Sequence, residues 1–362
     1  METINEYRPV VSKSNIRVLV VNHTLDAMDP LLGHQQSVAK ALSKEFKNFF
    51  VFTSAEPRTH LNEFQYFVSS QKSKYQFVKA FYLVRDFLRV LIVFRPELVF
   101  FHMTPNHCVI FSPILKLLKI RMFLWYAHKS IPPALYFSSK MVDKILTPSK
   151  GSISLRSSKI VITGHHVDFD FFYATPRIEL GNNALSLGRL DRSKRIKEMI
   201  ESITECGYRG LKLNYRLIGK PSSKNDSDYM EANYIQAVEK GINCQFEEIP
   251  NKLEVRDAIR QSDIFIHAAK GSLDKAPIEA IMAGLPVASV NDEFISDFGT
   301  WSGLFPTTLT QEIEAIYSLS SQRRVRYVAK RQIIASDLHS LSNWARKFQI
   351  LAEDTNCKSA KL

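Results

Sequence analysis

Short, nearly continuous apolar runs alternate along this chain with longer stretches in which apolar residues return every three or four positions. The first run, Ile16-Arg-Val-Leu-Val-Val-Asn22, is followed by others at residues 49–53, 98–102, 122–126, 144–146 and 160–162. From residue 184 the scheme starts again, at 184–187, 214–218, 244–246, 264–266 and 287–290. Runs of this kind, closed off by turn residues, are what strands covered on both faces look like. The intervening segments carry the helical period: residues 34–44 form one such stretch, and Ile196, Met199, Ile200 and Ile203 fall on one face of another. Strands alternating with helices predict an α/β architecture of parallel, doubly wound sheets. Because the pattern runs twice, two domains are expected, residues 1–175 and 176–335, with a hinge over residues 173–183 containing Pro176, Gly181, Asn182 and Asn183. Residues 336–362 hold a last amphipathic helix, at about 338–351, with Leu341, Trp344, Phe348 and Leu351 on one side.

Two segments break the apolar pattern with chemistry. Residues 270–289 read Lys-Gly-Ser-Leu-Asp-Lys-Ala-Pro-Ile-Glu-Ala-Ile-Met-Ala-Gly-Leu-Pro-Val-Ala-Ser. Pro277 suits a first helical position and Gly284 with Pro286 a stop, so a short helix is expected from residue 277 to 283. Gly271 and Ser272 leave the backbone open, and the amides of Gly271, Ser272, Leu273, Asp274 and Lys275 then converge on an anion at the positive helix end. Glu279, placed in the first turn, accepts the hydroxyls of a ribose or simply caps the helix. In the second segment a strand ends at Gly188, with Arg189 and Lys194 at the strand-to-helix turn where open α/β sheets bind ligands. A planar guanidinium and a point ammonium suit a diphosphate. A solvated basic turn is the alternative, since Arg192, Arg195 and Lys197 lie alongside.

Taken in order, these motifs resemble the retaining glycosyltransferases of family 4, which have the GT-B fold. The resemblance is carried by Gly188-Arg189-Leu190 with Lys194, and by the strand, Gly/Ser loop and Glu279-Ala-Ile-Met-Ala-Gly-Leu-Pro-Val287 run. Tyr215-Arg-Leu-Ile-Gly219, Asp263-Ile-Phe-Ile-His267, Leu124-Trp-Tyr-Ala-His-Lys129, Asp143-Lys-Ile-Leu-Thr-Pro-Ser149 and Ile162-Thr-Gly-His-His-Val-Asp168 add to it. It implies two Rossmann-like domains around a cleft, acceptor on the first and nucleotide sugar on the second, with the terminal helix crossing back to the first. It also implies His128 near the transferred sugar, no catalytic metal, and a UDP- or GDP-linked donor in place of a cofactor. One position departs from the family. Many members have a second glutamate eight residues before the one at Glu279, and here that position is Gly271, so the sugar contact differs while the nucleotide contact is kept.

Composition and charge add where the ligand partners lie. The chain has 362 residues, 45% of them hydrophobic, enough for two cores. Four cysteines, Cys108, Cys206, Cys244 and Cys357, have neither metal spacing nor a disulfide framework, which points to a reducing cytoplasm. The first residues, with Glu2 and Glu6, do not read as a secretory signal, and later apolar runs are interrupted by Arg89, Arg95, Lys116 and Lys119. Net charge is +12, of which residues 1–175 carry +10. An anionic partner is therefore expected at the first domain: a membrane surface, a lipid diphosphate or nucleic acid, the last without any recognisable module. In residues 72–92, Phe77, Phe81, Val84, Leu88 and Leu91 keep a helical period, while Lys72, Lys79 and Arg89 with Tyr75 and Tyr82 lie on the other side. That face suits peripheral contact with an anionic inner membrane leaflet, or is the solvated back of a core helix.

The function expected is transfer of a hexose-type sugar from a nucleotide sugar to a saccharide or lipid-linked acceptor in cell-surface glycan synthesis. A non-catalytic GT-B protein that binds a nucleotide or a partner is the alternative. His128, Arg189 and Lys194 carry the chemistry, Gly33 offers close backbone approach at the first strand's loop or caps the helix after it, and the oligomeric state is open. His102 and His107, with Pro105 between them, are poorly spaced to share a metal.

Overall fold

The strand periodicity becomes two all-parallel sheets. In the computed structural model, which describes residues 12–29, 32–58, 60–69, 75–248 and 251–354, the first sheet is built from β1 (Ser14–Thr24), β2 (Phe46–Ala55), β3 (Gln65–Val68), β4 (Leu98–His102), β5 (Arg121–Trp125), β6 (Lys144–Thr147) and β7 (Ile160–Ile162). Its order is β3-β2-β1-β4-β5-β6-β7. The second contains β8 (Asn183–Leu187), β9 (Asn214–Ile218), β10 (Cys244–Glu247), β11 (Ile264–His267) and β12 (Val287–Ser289), in the order β10-β9-β8-β11-β12. Both sheets reverse direction of growth beside their first strand, between β1 and β4 and between β8 and β11. Ligand crevices open at the carboxyl ends of strands at such points.

Helices α1 (His34–Glu45), α2 (Gln76–Phe94), α3 (Pro105–Leu117), α4 (Pro133–Met141) and the short α5 (Phe169–Phe172) belong to the first half of the chain. The second half has α6 (Ile196–Tyr208), α7 (Lys224–Glu239), α8 (Lys252–Gln261), α9 (Lys275–Met282), α10 (Asp292–Phe298), α11 (Leu309–Ser318), α12 (Ser321–His339) and α13 (Leu341–Glu353). β1 shows why the first sheet needs cover on both sides. Val18 and Val20 join a cluster with Leu42 of α1, while Leu19 and Val21 pack with Phe87 of α2 and Phe111 of α3.

Two elements differ from the sequence expectation. β3 is an edge strand of only four residues, too short to produce a readable alternation. In α2 the stripe that meets the core is Leu83, Phe87, Val90 and Leu91, whereas Phe77 and Phe81 are exposed together with Tyr75. The helix is apolar over most of its surface, so several faces satisfy the same period. Lys72 and Cys357 lie outside the described residues. Among those described, no helix is long and apolar enough to cross a membrane.

The chain passes between the domains twice, and the two passages are hydrogen-bonded to each other. Val167 donates its amide to the carbonyl of His339 at 2.9 Å, and Leu341 donates to that of Val167 at 2.7 Å. Gly164 sits beside this junction with φ +77°, and a Cβ there would collide with the carbonyl oxygen of Leu338. After Ser340, α13 returns to the first domain, where Trp344 and Phe348 enter the cluster around Val18 and Phe100. The indole of Trp344 donates to Thr163 Oγ1 at 3.1 Å.

Candidate functional site

The second crevice is built at the carboxyl ends of β8 and β11. Strand β8 ends at Leu187, and Gly188 adopts φ +149° with its open side against the stem of Lys194, 3.3 Å from where a Cβ would place itself. A tight turn over Arg192–Lys194 and a left-handed Arg195 then lead into α6. The expected anchors of that helix, Ile196, Met199, Ile200 and Ile203, are all buried. Of the basic residues here, Arg195 pairs with Glu198 at 2.8 Å, Lys197 with Glu201 at 3.8 Å, and Arg192 lies over the ring of Tyr229. Arg189 and Lys194 are the two that face the crevice lined by Gly188, Leu190, Ile266, His267 and Ala268.

Across this crevice stands the loop between β11 and α9. Helix α9 runs Lys275–Met282, starting two residues before the position expected. Pro277 is thus its third residue, and Glu279 lies in the second turn, where it pairs with Lys275 at 3.3 Å. The first-turn placement of Glu279 is corrected. Asp274 initiates the helix instead, since a carboxylate residue with extended backbone suits that position. Among the described residues, none accepts a hydrogen bond from the backbone amides of residues 271–276. Those donors sit at the positive end of the helix dipole.

Asp274 is the pivot of the site. Its carboxylate meets Lys194 Nζ at 2.5 Å and His267 Nε2 at 3.1 Å. A carboxylate only accepts, so His267 carries its proton on Nε2, and Nδ1 accepts from the Ser289 hydroxyl at 2.9 Å. Burial opposes ionisation of Asp274, but the hydrogen bond from His267 and the charge of Lys194 override it and hold the carboxyl well below the usual range. The crevice therefore contains a lysine already paired to an aspartate, with Arg189 half exposed beside Asp191 at 3.7 Å.

The loop is held from behind by two residues to which sequence reasoning gave no role of this kind, Asn291 and His165 of the Ile162–Asp168 motif. Asn291, initiating α10, donates from Nδ2 to the carbonyls of Ala269 at 2.9 Å and Ser272 at 3.2 Å. His165, from the passage between the domains, donates from Nε2 to the carbonyl of Leu273 at 2.9 Å. Burial first, then the neighbouring His339, pushes the His165 pKa down to about 3. The side chain of Leu273 points into the core against Val167 and Ile278, so this residue offers a ligand only its backbone. A lone asparagine or histidine has no periodic signature. The one available signal was the His-His pair at 165–166 next to a glycine.

The first domain contributes the opposite wall. His128 follows β5, and its pKa is lowered by desolvation and then by the positive charges of Arg189 and Lys194. It is thus neutral at pH 7 and lies within the field of the two cations across the cleft. Gly271 has φ +99°, and a side chain there would run into the ammonium of Lys129. A lysine from the first domain therefore occupies the space beside Gly271. Gly33 is the N-cap of α1, the capping alternative of the sequence reading, and a Cβ there would stand 2.5 Å from the carbonyl oxygen of Ala27 and 2.6 Å from that of Asp29, so its openness serves its own loop.

Residues 174–299 match the family model described as Glycosyl transferases group 1. No sequence match to a curated protein is found. Among solved structures, HepE of Anabaena in complex with UDP and glucose superposes with a TM-score of 0.69 at 12% identity, covering 94% of this chain and 100% of that one. Sucrose-phosphate synthase of Thermosynechococcus elongatus gives 0.70 at 12% identity, over 95% and 100%. The lipopolysaccharide outer core galactosyltransferase WaaB in its apo form gives 0.64 at 13%, over 93% and 100%. The fold is GT-B, and residues 174–299 of its second domain match the group 1 glycosyl transferase model.

Proposed function

We propose that this protein is a glycosyltransferase that holds a nucleoside diphosphate sugar against residues 271–276 and passes its sugar, with retention of configuration, to an acceptor on the first domain. The observation that carries the reading is that Lys194, which lines one crevice with Arg189, reaches Asp274 of the loop whose amides 271–276 have no acceptor among the described residues. Amide donors fixed before the reaction stabilise the charge that develops on a departing diphosphate without reorganising. Glu279, largely buried beside Lys275, is the acceptor for ribose hydroxyls. In a front-face reaction the acceptor hydroxyl attacks from the side the diphosphate leaves, its proton passes to that diphosphate, and no protein nucleophile is required. His128, neutral, hydrogen-bonds the sugar. No cofactor beyond the UDP- or GDP-linked donor is needed in this scheme. A saccharide or lipid-linked acceptor fits the basic first domain, and the exposed Tyr75, Phe77 and Phe81 beside Lys79 suit a cytoplasmic protein that touches an anionic membrane face.

The test is hydrolysis or transfer from a panel of UDP- and GDP-hexoses, with and without the Arg189→Ala plus Lys194→Ala pair. Turnover lost in that variant supports the reading, and turnover unchanged by it refutes the assignment. A non-catalytic binding protein is the second reading, favoured by Lys129 filling the space beside Gly271. Equal thermal stabilisation by nucleotide and by every nucleotide sugar, with no turnover, would select it.

A further inference from the structure

Ten histidines are present in the sequence, and three that are far apart in it meet beside the passage between the domains. His34 is the first residue of α1, His102 the last of β4, and His166 lies in the passage between the domains. Their ring centroids are 5.4 Å apart for His34 and His102, 5.4 Å for His34 and His166, and 5.2 Å for His102 and His166. One ring nitrogen from each falls within 4.8 Å of the others. His102 and His166 are almost wholly buried, and none of their four ring nitrogens has a hydrogen-bond partner.

That last fact needs an explanation, because buried polar groups are nearly always satisfied. A neutral imidazole carries one donor and one acceptor, and at this separation the rings do not satisfy each other. Packing holds the rings in place regardless: Trp125 and Trp344 flank His166, and Phe100 stacks on His102.

We infer that His34, His102 and His166 form a binding site for one divalent transition metal, Zn2+ in the first instance. Three imidazoles are a donor set for zinc, copper or nickel and a poor one for magnesium or calcium. Zinc–nitrogen bonds of about 2.0–2.1 Å in tetrahedral geometry bring the three nitrogens to about 3.3 Å apart, which small ring movements supply. His34 is only partly buried, so the ion enters from its side, and a water or hydroxide takes the fourth position. The site involves neither Arg189 nor Lys194, and the sequence gives no sign of it because its ligands come from three separate elements. Its ion ties the α1 terminus and the β4 end to the passage that also carries His165.

The test uses tag-free full-length protein, stripped with a chelator and titrated with Zn2+ by calorimetry against a competing chelator. One Zn2+ per chain is expected. His102→Asn and His166→Asn should each weaken binding by more than the about 100-fold that loss of an outer partner alone can cause. His107→Asn, a buried histidine outside the trio, should leave it unchanged. No stoichiometric binding by the wild type, or undiminished binding in the two variants, overturns the inference. Should a variant fail to fold, Co2+ loaded into the wild type decides: intense visible bands of tetrahedral coordination support the site, and a weak octahedral spectrum overturns it.

Discussion

Asp274 sits where a donor diphosphate would bring negative charge, and neutralising it as Asp274→Asn should destabilise the empty protein while tightening nucleotide binding. Lys194 and Asp274 are in contact with only 17% and 19% of their side chains exposed. Removing one partner of a well-buried pair costs about 3–5 kcal/mol, because the other charge is left uncompensated. The residual exposure places this pair near the lower end, about 3 kcal/mol. At roughly 2–4 °C per kcal/mol for a domain of this size, the melting temperature should fall by about 6–12 °C. Binding moves the other way. Two unit charges at 4 Å interact by about 4 kcal/mol at an effective dielectric of 20, and the repulsion falls with distance and salt. Relief of about 1–2 kcal/mol then tightens UDP roughly 5- to 30-fold, and UDP restores more of the lost melting temperature than it adds to the wild type. Melting curves with and without UDP, together with calorimetric Kd values at two salt concentrations, measure both halves. Weaker UDP binding by the variant would sink the argument, because it would mean that Asp274 serves the ligand rather than opposing it.

Two further predictions concern stability. Trp344→Ala removes an almost fully buried indole from the first domain's core and its hydrogen bond to Thr163. Urea unfolding should show a loss of about 3–5 kcal/mol, and a loss under 1 kcal/mol would mean that α13 is not integral to that domain. His107 is buried, and desolvation followed by the neighbouring His23 lowers its pKa to about 4. A depressed folded pKa contributes stability that is complete above the unfolded value near 6.5 and is lost as pH falls towards 4, amounting to about 3 kcal/mol. His107→Asn should flatten the urea stability profile in that window, and an unchanged slope would refute the assignment.

How much of this was legible in the sequence depends on whether a feature is local. Strands β1, β4, β8 and β11 and the anchors of α6 were readable because each buries a contiguous or periodic set of apolar residues. Phe77 and Phe81 of α2 were misread because a helix that is apolar nearly all round gives no phase. Arg189 and Lys194 stood out by type and by lying at a strand end, and the glycine–serine loop by its open backbone. What holds the loop in shape was not legible. Asn291 reaches back 19 and 22 residues to the carbonyls of Ser272 and Ala269, and His165 reaches Leu273 across 108. Such contacts exist only after both sheets have formed, and no pairing rule in a single sequence anticipates them.

That dependence has a physical consequence for how the two domains communicate. His165 donates to Leu273 in the donor loop, its amide donates to Nδ1 of His339, and His339 Nε2 meets Asp297 Oδ2 at 3.2 Å. His339 and Ser340 are hydrogen-bonded to the passage at Val167, and α13 beyond them is bolted to the first domain by Trp344. The carbonyl of Leu273 is thereby tied to the two passages that join the domains. That carbonyl lies in the same short loop as the amides of residues 271–276, which have no acceptor among the described residues. The shape of that loop therefore depends on the junction of the two passages through one chain of hydrogen bonds.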